Sequence, residues 1–305
     1  EAVREAYQRL YRKPLETIFT PQVKLIARLR WVWSRLAGRL ESLPPFWTAF
    51  ALTLTETVGA GILALPIALA RVGPLAGVIL LVVLGLANVL TIAATAEAVA
   101  RNGNVRYGNA YFGRLVADYL GSTGSLIFTL ALIILTVLPL MAYYIGFAST
   151  LANATGIPAE VWTALIFFIG LYSLSRKSLD LTVASALVIG AINIGLILLL
   201  SLIAFTHLQL VNLFHIEFPF LDGHYFDASI LELIFGVILL AFFGHPSAGN
   251  CARVVLRRDP SARSLIWGSI TALAAAMILY CIWVLAINGA IAPEVLAIQV
   301  GTSLA

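Results

Sequence analysis

Glu56 stands in the middle of the first long apolar run of the chain, and Thr57, Val58 and Gly59-Ala60-Gly61-Ile62-Leu63-Ala64-Leu65-Pro66 follow it. A carboxylate at bilayer depth is costly, and each glycine weakens a helix by about 1 kcal/mol relative to alanine. A plain anchoring helix has no use for either. An unwound helix does, because its freed backbone groups must face protein or a wet cavity, and the half-helix that restarts there presents N–H donors to an anion. The pattern predicts a break in span one, with a binding site at the break.

A second interruption falls in span six, which reads Leu239-Leu240-Ala241-Phe242-Phe243-Gly244-His245-Pro246-Ser247-Ala248-Gly249-Asn250. Proline suits the first turn of a helix and glycine the position just past a helix end, so Gly244 and Pro246 punctuate two half-helices. Spans one and six are five crossings apart and so run in opposite directions. Interrupted helices at matching positions of two inverted halves point to the midplane site of a secondary transporter.

The rest of the chain must hold those breaks in a membrane. With 61% hydrophobic residues, 11% charged residues and a mean hydropathy of +0.97, it is far more apolar than a soluble domain, where about 25% of residues are charged. It reads as an all-α integral membrane protein. Apolar runs of about 20 residues or more, enough to cross roughly 30 Å of hydrocarbon, lie near 46–70, 74–100, 122–151, 181–206, 229–252 and 264–288. A shorter run near 159–175 makes a seventh span. Gly77, Gly85, Ala93, Ala94, Gly190, Ala191 and Gly195 suit close helix contacts in spans two and five.

Lysine and arginine set the orientation. If the N-terminus is cytoplasmic, all of the 19 basic residues fall inside except Arg71, which lies in a very short turn. The loop 207–228 has no Lys or Arg and carries His207, His215, Glu217, Asp222, His224 and Asp227. The net charge of +4 therefore reports topology, not nucleic-acid binding. The expected location is the cell (inner) membrane, with the lipid bilayer as surroundings. Residues 1–45 lack the apolar core and cleavage site of a signal peptide and form a cytoplasmic segment. Within 22–40, Leu25, Ile26, Leu29, Val32, Trp33, Leu36 and Leu40 share a helical face, and Lys24, Arg28, Arg35 and Arg39 another. That helix either lies on the inner leaflet or packs beneath the bundle. Cys251 and Cys281 fall at opposite depths, which predicts no disulfide, and the cysteines and histidines have no metal-ligand spacing.

Three segments now combine. Gly59-Ala60-Gly61-Ile62-Leu63-Ala64-Leu65-Pro66, Ala142-Tyr143-Tyr144-Ile145-Gly146-Phe147-Ala148-Ser149 in span three, and Phe242-Phe243-Gly244-His245-Pro246 resemble the amino acid/auxin permease family. The nearest branch is that of the bacterial hydroxy and aromatic amino acid permeases. The first motif alone is shared across the wider amino acid/polyamine/organocation group, and the three in order are far more specific. The resemblance covers about Phe46 to Ala290. It implies a leucine-transporter-like fold of five plus five inverted helices, with substrate between spans one, three, six and eight. Residues 46–206 would be the first repeat, 207–228 an extracellular loop and 229–305 the start of the second. Because Ala305 follows span seven and Glu1 is not an initiator Met, the expectation is a fragment holding the first seven spans. Glu56 departs from the pattern, which leads us to expect an uncharged, often small residue there.

For an amino-acid substrate, the carboxylate should meet the N–H groups of Ala60, Gly61 and Ile62, at the positive end of a half-helix dipole. The ammonium should meet carbonyls freed at Thr57, Val58, Ala241, Phe242 and Gly244. The bland alternative is that these glycines only permit close packing. Glu56 is the candidate for proton coupling, for pairing with the ammonium or for binding sodium, against a protonated carboxyl bonded inside the bundle. Tyr143, Tyr144, Phe242 and Phe243 are candidate pocket walls, or else packing residues. His245 either bonds a freed carbonyl or moves a proton. Glu97 and Arg101 form a local i, i+4 pair.

An intramembrane enzyme would need a nucleophile and a base in reach of each other, and His245 with Ser247 is the single suggestive pair. The expectation is therefore a non-enzymatic secondary transporter of neutral amino acids, aromatic ones included, working by alternating access. No cofactor is expected beyond a coupling proton or sodium ion. The alternatives are a non-transporting amino-acid receptor on the same fold, or a superfamily permease for another small organic cation or zwitterion.

Overall fold

The computed structural model describes residues 43–59, 61–70, 72–106, 112–175, 179–216 and 228–298. The amphipathic helix expected within 22–40, Ala60, and residues 217–227 of the expected loop lie outside the described residues.

All regular structure among the described residues is helical. Span one is α1 (Pro45–Thr57) followed by α2 (Gly61–Ala70), and α3 (Pro74–Arg101) is span two. A short α4 (Gly103–Arg106) precedes α5 (Phe112–Thr155) and α6 (Ala159–Ser175). Then come α7 (Leu179–Phe205), the short α8 (Leu210–Leu213), α9 (Ala228–Ala241) and α10 (Pro246–Arg258). The last are α11 (Arg263–Ala290) and α12 (Pro293–Ile298).

Five helical stretches are long and apolar enough to cross a membrane, and six when the bent pair α1 and α2 counts as one span. The expected seventh, α6, has 17 residues. At 1.5 Å per residue its 17 residues reach about 25 Å, the lower end of the length that crosses a bilayer. Helix α5 starts ten residues before the span expected at 122–151, and Gly121 interrupts it at φ 73° and ψ −178°. Glycine is the residue that adopts such a backbone without strain, so the apolar span proper begins after it.

The proline at the start of α1 and that at the start of α3 suit first-turn positions, where an N–H would be orphaned anyway. Before α3, Gly73 sits at φ 96°, and a Cβ there would overlap the His215 carbonyl. Helix α11 is the organising element. It packs against α1, α2, α3, α7, α8 and α10. Half of its most apolar window is buried, against none of that of α5. In lipid, apolar contact between helices gains little over contact with acyl chains, so close packing has to hold them. Small residues provide it: a Cβ on Gly85 would crowd Met277 and Phe242, one on Gly190 would overlap Thr55, and one on Gly268 would crowd Ala49. Gly77 sits in the same way against Leu69. Gly195, by contrast, faces open space. Ala94 and Ala191 are exposed, so these three positions do not serve close packing. Outward-facing Leu90, Leu130, Phe168 and Leu202 make an apolar surface that suits acyl chains and not water.

Polar groups collect at the helix ends. Glu97 and Arg101 pair in the last turns of α3, as expected. Between α10 and α11, the Asp259 carboxylate accepts the Ser261 N–H at 3.1 Å and the Ser264 N–H at 2.8 Å, which caps the start of α11. Hydrogen bonds from Ser261, then Ser264, hold its pKa down at about 2 from the usual 3.8. A depressed carboxyl pKa gives stability that is present above the unfolded value and is lost as pH falls through the folded one. Asp259→Ala should destabilise the protein at neutral pH by about 1 kcal/mol or less, since the group is largely solvated. In melting curves across pH, the gap to the unsubstituted protein should hold down to about pH 4 and close toward about pH 2.

Candidate functional site

The first break lies where α1 ends at Thr57 and α2 begins at Gly61, and the axis bends there by 53°. Local chemistry accounts for the stop. The Thr57 hydroxyl turns back to the Thr53 carbonyl at 2.7 Å, Val58 leaves helical geometry at ψ 75°, and the Gly59 N–H folds onto the Thr57 carbonyl at 2.9 Å. In the second break, α9 ends at Ala241 and α10 restarts at Pro246, with Phe242, Phe243, Gly244 and His245 between them. The Gly244 N–H reaches the Phe242 carbonyl at 2.8 Å. Span six bends by less than 40° through this gap and counts as one stretch, Leu231–Arg258, whereas span one turns more sharply.

The two breaks touch. A Cβ on Gly61 would lie 3.1 Å from the Ala241 Cα, and one on Gly244 would overlap the Thr57 Oγ1. Both glycines therefore serve close backbone approach, and the packing role and the site role converge on the same atoms.

The freed carbonyls are not bare. Tyr280, on α11 and fully buried, directs its hydroxyl at the Thr57 carbonyl (2.9 Å) and the Ala241 carbonyl (2.7 Å). Asn193 of α7 donates to the Val58 carbonyl at 3.3 Å. The Ser247 hydroxyl donates to the Gly244 carbonyl at 2.6 Å and lies 3.0 Å from the Thr53 hydroxyl, which is 3.4 Å from Ser269. Each of the carbonyls expected at Thr57, Val58, Ala241, Phe242 and Gly244 to receive an ammonium thus already accepts a bond within the protein. A carbonyl has two lone pairs, so those of Val58, Ala241 and Phe242 can still accept a second donor, while those of Thr57 and Gly244 already accept two, from the Gly59 N–H and Tyr280 and from the Ser247 N–H and hydroxyl. The Ile62 N–H makes a long bond, 3.4 Å, to the Gly59 carbonyl.

Glu56 lies on the exposed side of α1, and the Asn250 amide donates to both its oxygens at 3.1 and 3.2 Å. Donors on both oxygens suit an ionised carboxylate, and the partner comes from the half-helix beyond the second break. His245 pairs with the Thr91 hydroxyl of α3 through Nε2 at 2.7 Å, a freed carbonyl or a part in proton movement having been the alternatives expected for it. Ser247 and His245 thus turn to different partners.

The aromatic candidates divide. The Tyr143 hydroxyl lies 3.1 Å from where a Cβ on Gly59 would sit, which brings span three to the first break. Tyr144 is one residue further round the helix, so it points elsewhere, with its hydroxyl by Gly170 and its ring near Phe167. There it borders an apolar groove of about 650 Å³ between α5 and α6. Phe242 is fully buried, edge-on to Tyr280 with ring centres 5.1 Å apart, so its ring belongs to the core while its backbone belongs to the break. Phe243 stays half-buried beside it.

Reading the sequence missed Tyr280, Asn193, Asn250, Thr53, Ser269 and Thr91. The available signal was a polar side chain inside an apolar span, which membrane helices place inward. Nothing in the linear pattern says which backbone group each one meets.

The model of the tryptophan/tyrosine permease family matches residues 43–302. The chain belongs to that family. No curated protein and no solved structure matches it. Membership of an amino acid permease family, with the apolar helices described above, makes the chain a multi-pass membrane protein. In this permease the contact between the breaks has a direct test. Gly244→Ala drives a methyl into the Thr57 hydroxyl and should destabilise the protein by about 1–3 kcal/mol. Adding Thr57→Ala removes that oxygen but leaves the Thr57 Cβ position 3.1 Å away. The double variant should recover part of the lost melting temperature, and strict additivity would contradict the contact.

Proposed function

We propose that this permease is a secondary active transporter of neutral amino acids, aromatic ones among them, and that its site is the paired break. The observation that carries the reading is the apposition of two interrupted membrane helices, Gly61 against Ala241 and Gly244 against Thr57. On this reading the substrate carboxylate meets the N–H groups of Ala60, Gly61 and Ile62 at the start of α2. Its ammonium meets carbonyls of the group Thr57, Val58, Ala241, Phe242 and Gly244, among which those of Val58, Ala241 and Phe242 accept one bond each within the protein. Tyr143 and Phe243 form walls, while Tyr144 serves the groove beside α6. The helices follow the inverted-repeat plan of the leucine-transporter-like fold, the N-terminus is cytoplasmic in the cell (inner) membrane, and transport is by alternating access.

Proton coupling is favoured over sodium. Glu56 is a carboxylate at the first break, held through Asn250 to the half-helix after the second, so its proton state can bear on how the two meet.

Radiolabelled tryptophan and tyrosine uptake by the full-length protein in proteoliposomes tests this, at varied pH and sodium. Saturable accumulation driven by an acidic exterior is expected, and Glu56→Gln should remove the pH drive while substrate still binds. Binding without accumulation under either gradient would instead identify a receptor. Accumulation driven by sodium alone would reverse the coupling assignment.

A further inference from the structure

The Tyr280 hydroxyl bonds both breaks at once. Its two acceptors are the last helical residues of α1 and α9, Thr57 and Ala241, whose carbonyls a helix end leaves without an intrahelical partner. The ring that carries it is fully buried and packed edge-on to Phe242. The helix that carries the ring, α11, is the element against which α1, α2 and α3 all pack. The hydroxyl is thus held by the most buried of the long helices, while the chain on both sides of it is interrupted.

We propose that Tyr280 is a positioning residue whose hydroxyl holds the two breaks against each other in the substrate-free protein. A phenol has one proton for these two carbonyls, and that of Thr57 also accepts the Gly59 N–H, so the Ala241 carbonyl is the one left open to a better donor. On the transport reading above, on which this consequence rests, that donor is the substrate's ammonium, with three N–H groups to offer. When it takes the Ala241 carbonyl, the phenol turns wholly to that of Thr57. Occupancy of the site and release of the tie between the half-helices are then one event. Tyr280 does not grip the substrate; it sets the geometry of the backbone that does.

Disulfide cross-linking in native membranes tests the tie. In full-length protein carrying Cys251→Ser and Cys281→Ser, Gly61→Cys and Ala241→Cys place two thiols on Cβ positions 3.6 Å apart. That is within the roughly 3.5–4.5 Å a disulfide needs. With Tyr280 intact the pair should cross-link readily. Tyr280→Phe, which removes only the hydroxyl, should slow cross-linking several-fold, and Met277→Leu on the same helix should leave the rate unchanged. Should the Phe variant fail to reach the membrane, Tyr280→Met removes the hydroxyl by another route and carries the same expectation. An unchanged rate without the hydroxyl, or equal slowing by Met277→Leu, overturns the proposal. The assay needs no substrate, so its result stands apart from uptake: an unsubstituted protein that accumulates no amino acid defeats the transport reading, not the tie.

Discussion

A peptide group in the interior of a membrane must be paired, because no water is there to pair it. Every feature of the site follows from that constraint. Two helices are interrupted where Gly59, Gly61 and Gly244 occur, and the polar groups released there are taken up by Tyr280, Asn193, Ser247 and the local turns. An unpaired buried carbonyl costs about 1–3 kcal/mol, so leaving several bare would undo a marginally stable bundle. The breaks are tolerated because neighbouring helices supply donors to match them.

The same constraint explains why α11 is central. Its small and medium residues let α1 and α3 approach, and its polar residues then reach across: Ser269 to Thr53, Tyr280 to both breaks, and Asn288 to the Pro66 carbonyl at 3.1 Å. These three lie along one helix and meet span one before the break, at it and after it. Span one is bent by 53°, yet it is held along its length by a single straight partner. Packing against lipid alone would not select one bend over another, whereas directional hydrogen bonds do.

Glu56 stands apart from this internally paired system. Thr53 and Thr57 face the core, while Glu56, between them in sequence, points the other way and finds Asn250. Its link crosses from the half-helix before the first break to the half-helix after the second. One interaction between the breaks is therefore a buried neutral hydroxyl and the other an exposed carboxylate. The second lies at the surface of the described helices and the first does not.

Much of this was legible in the sequence. The apolar runs marked the spans, because about 20 apolar residues are needed to cross hydrocarbon. The Gly-x-Gly after Glu56 and the Gly-His-Pro after Phe243 marked both breaks, because backbone freedom and a missing N–H are local properties of those residues. The pair of Glu97 and Arg101 was readable for the same reason, since i, i+4 neighbours need no tertiary structure to meet. The direction of Tyr144 and Phe242 was not, since a motif does not say which way a ring turns. Least legible were the partners: Tyr280 is 223 residues from Thr57 in sequence, and Asn250 is 194 from Glu56. Where the chain would break was decided by residue type alone. What would pair the broken ends was decided only by folding, because hydrogen bonds are directional and short, and only the packed bundle brings donors from distant helices within 3 Å or so of those carbonyls.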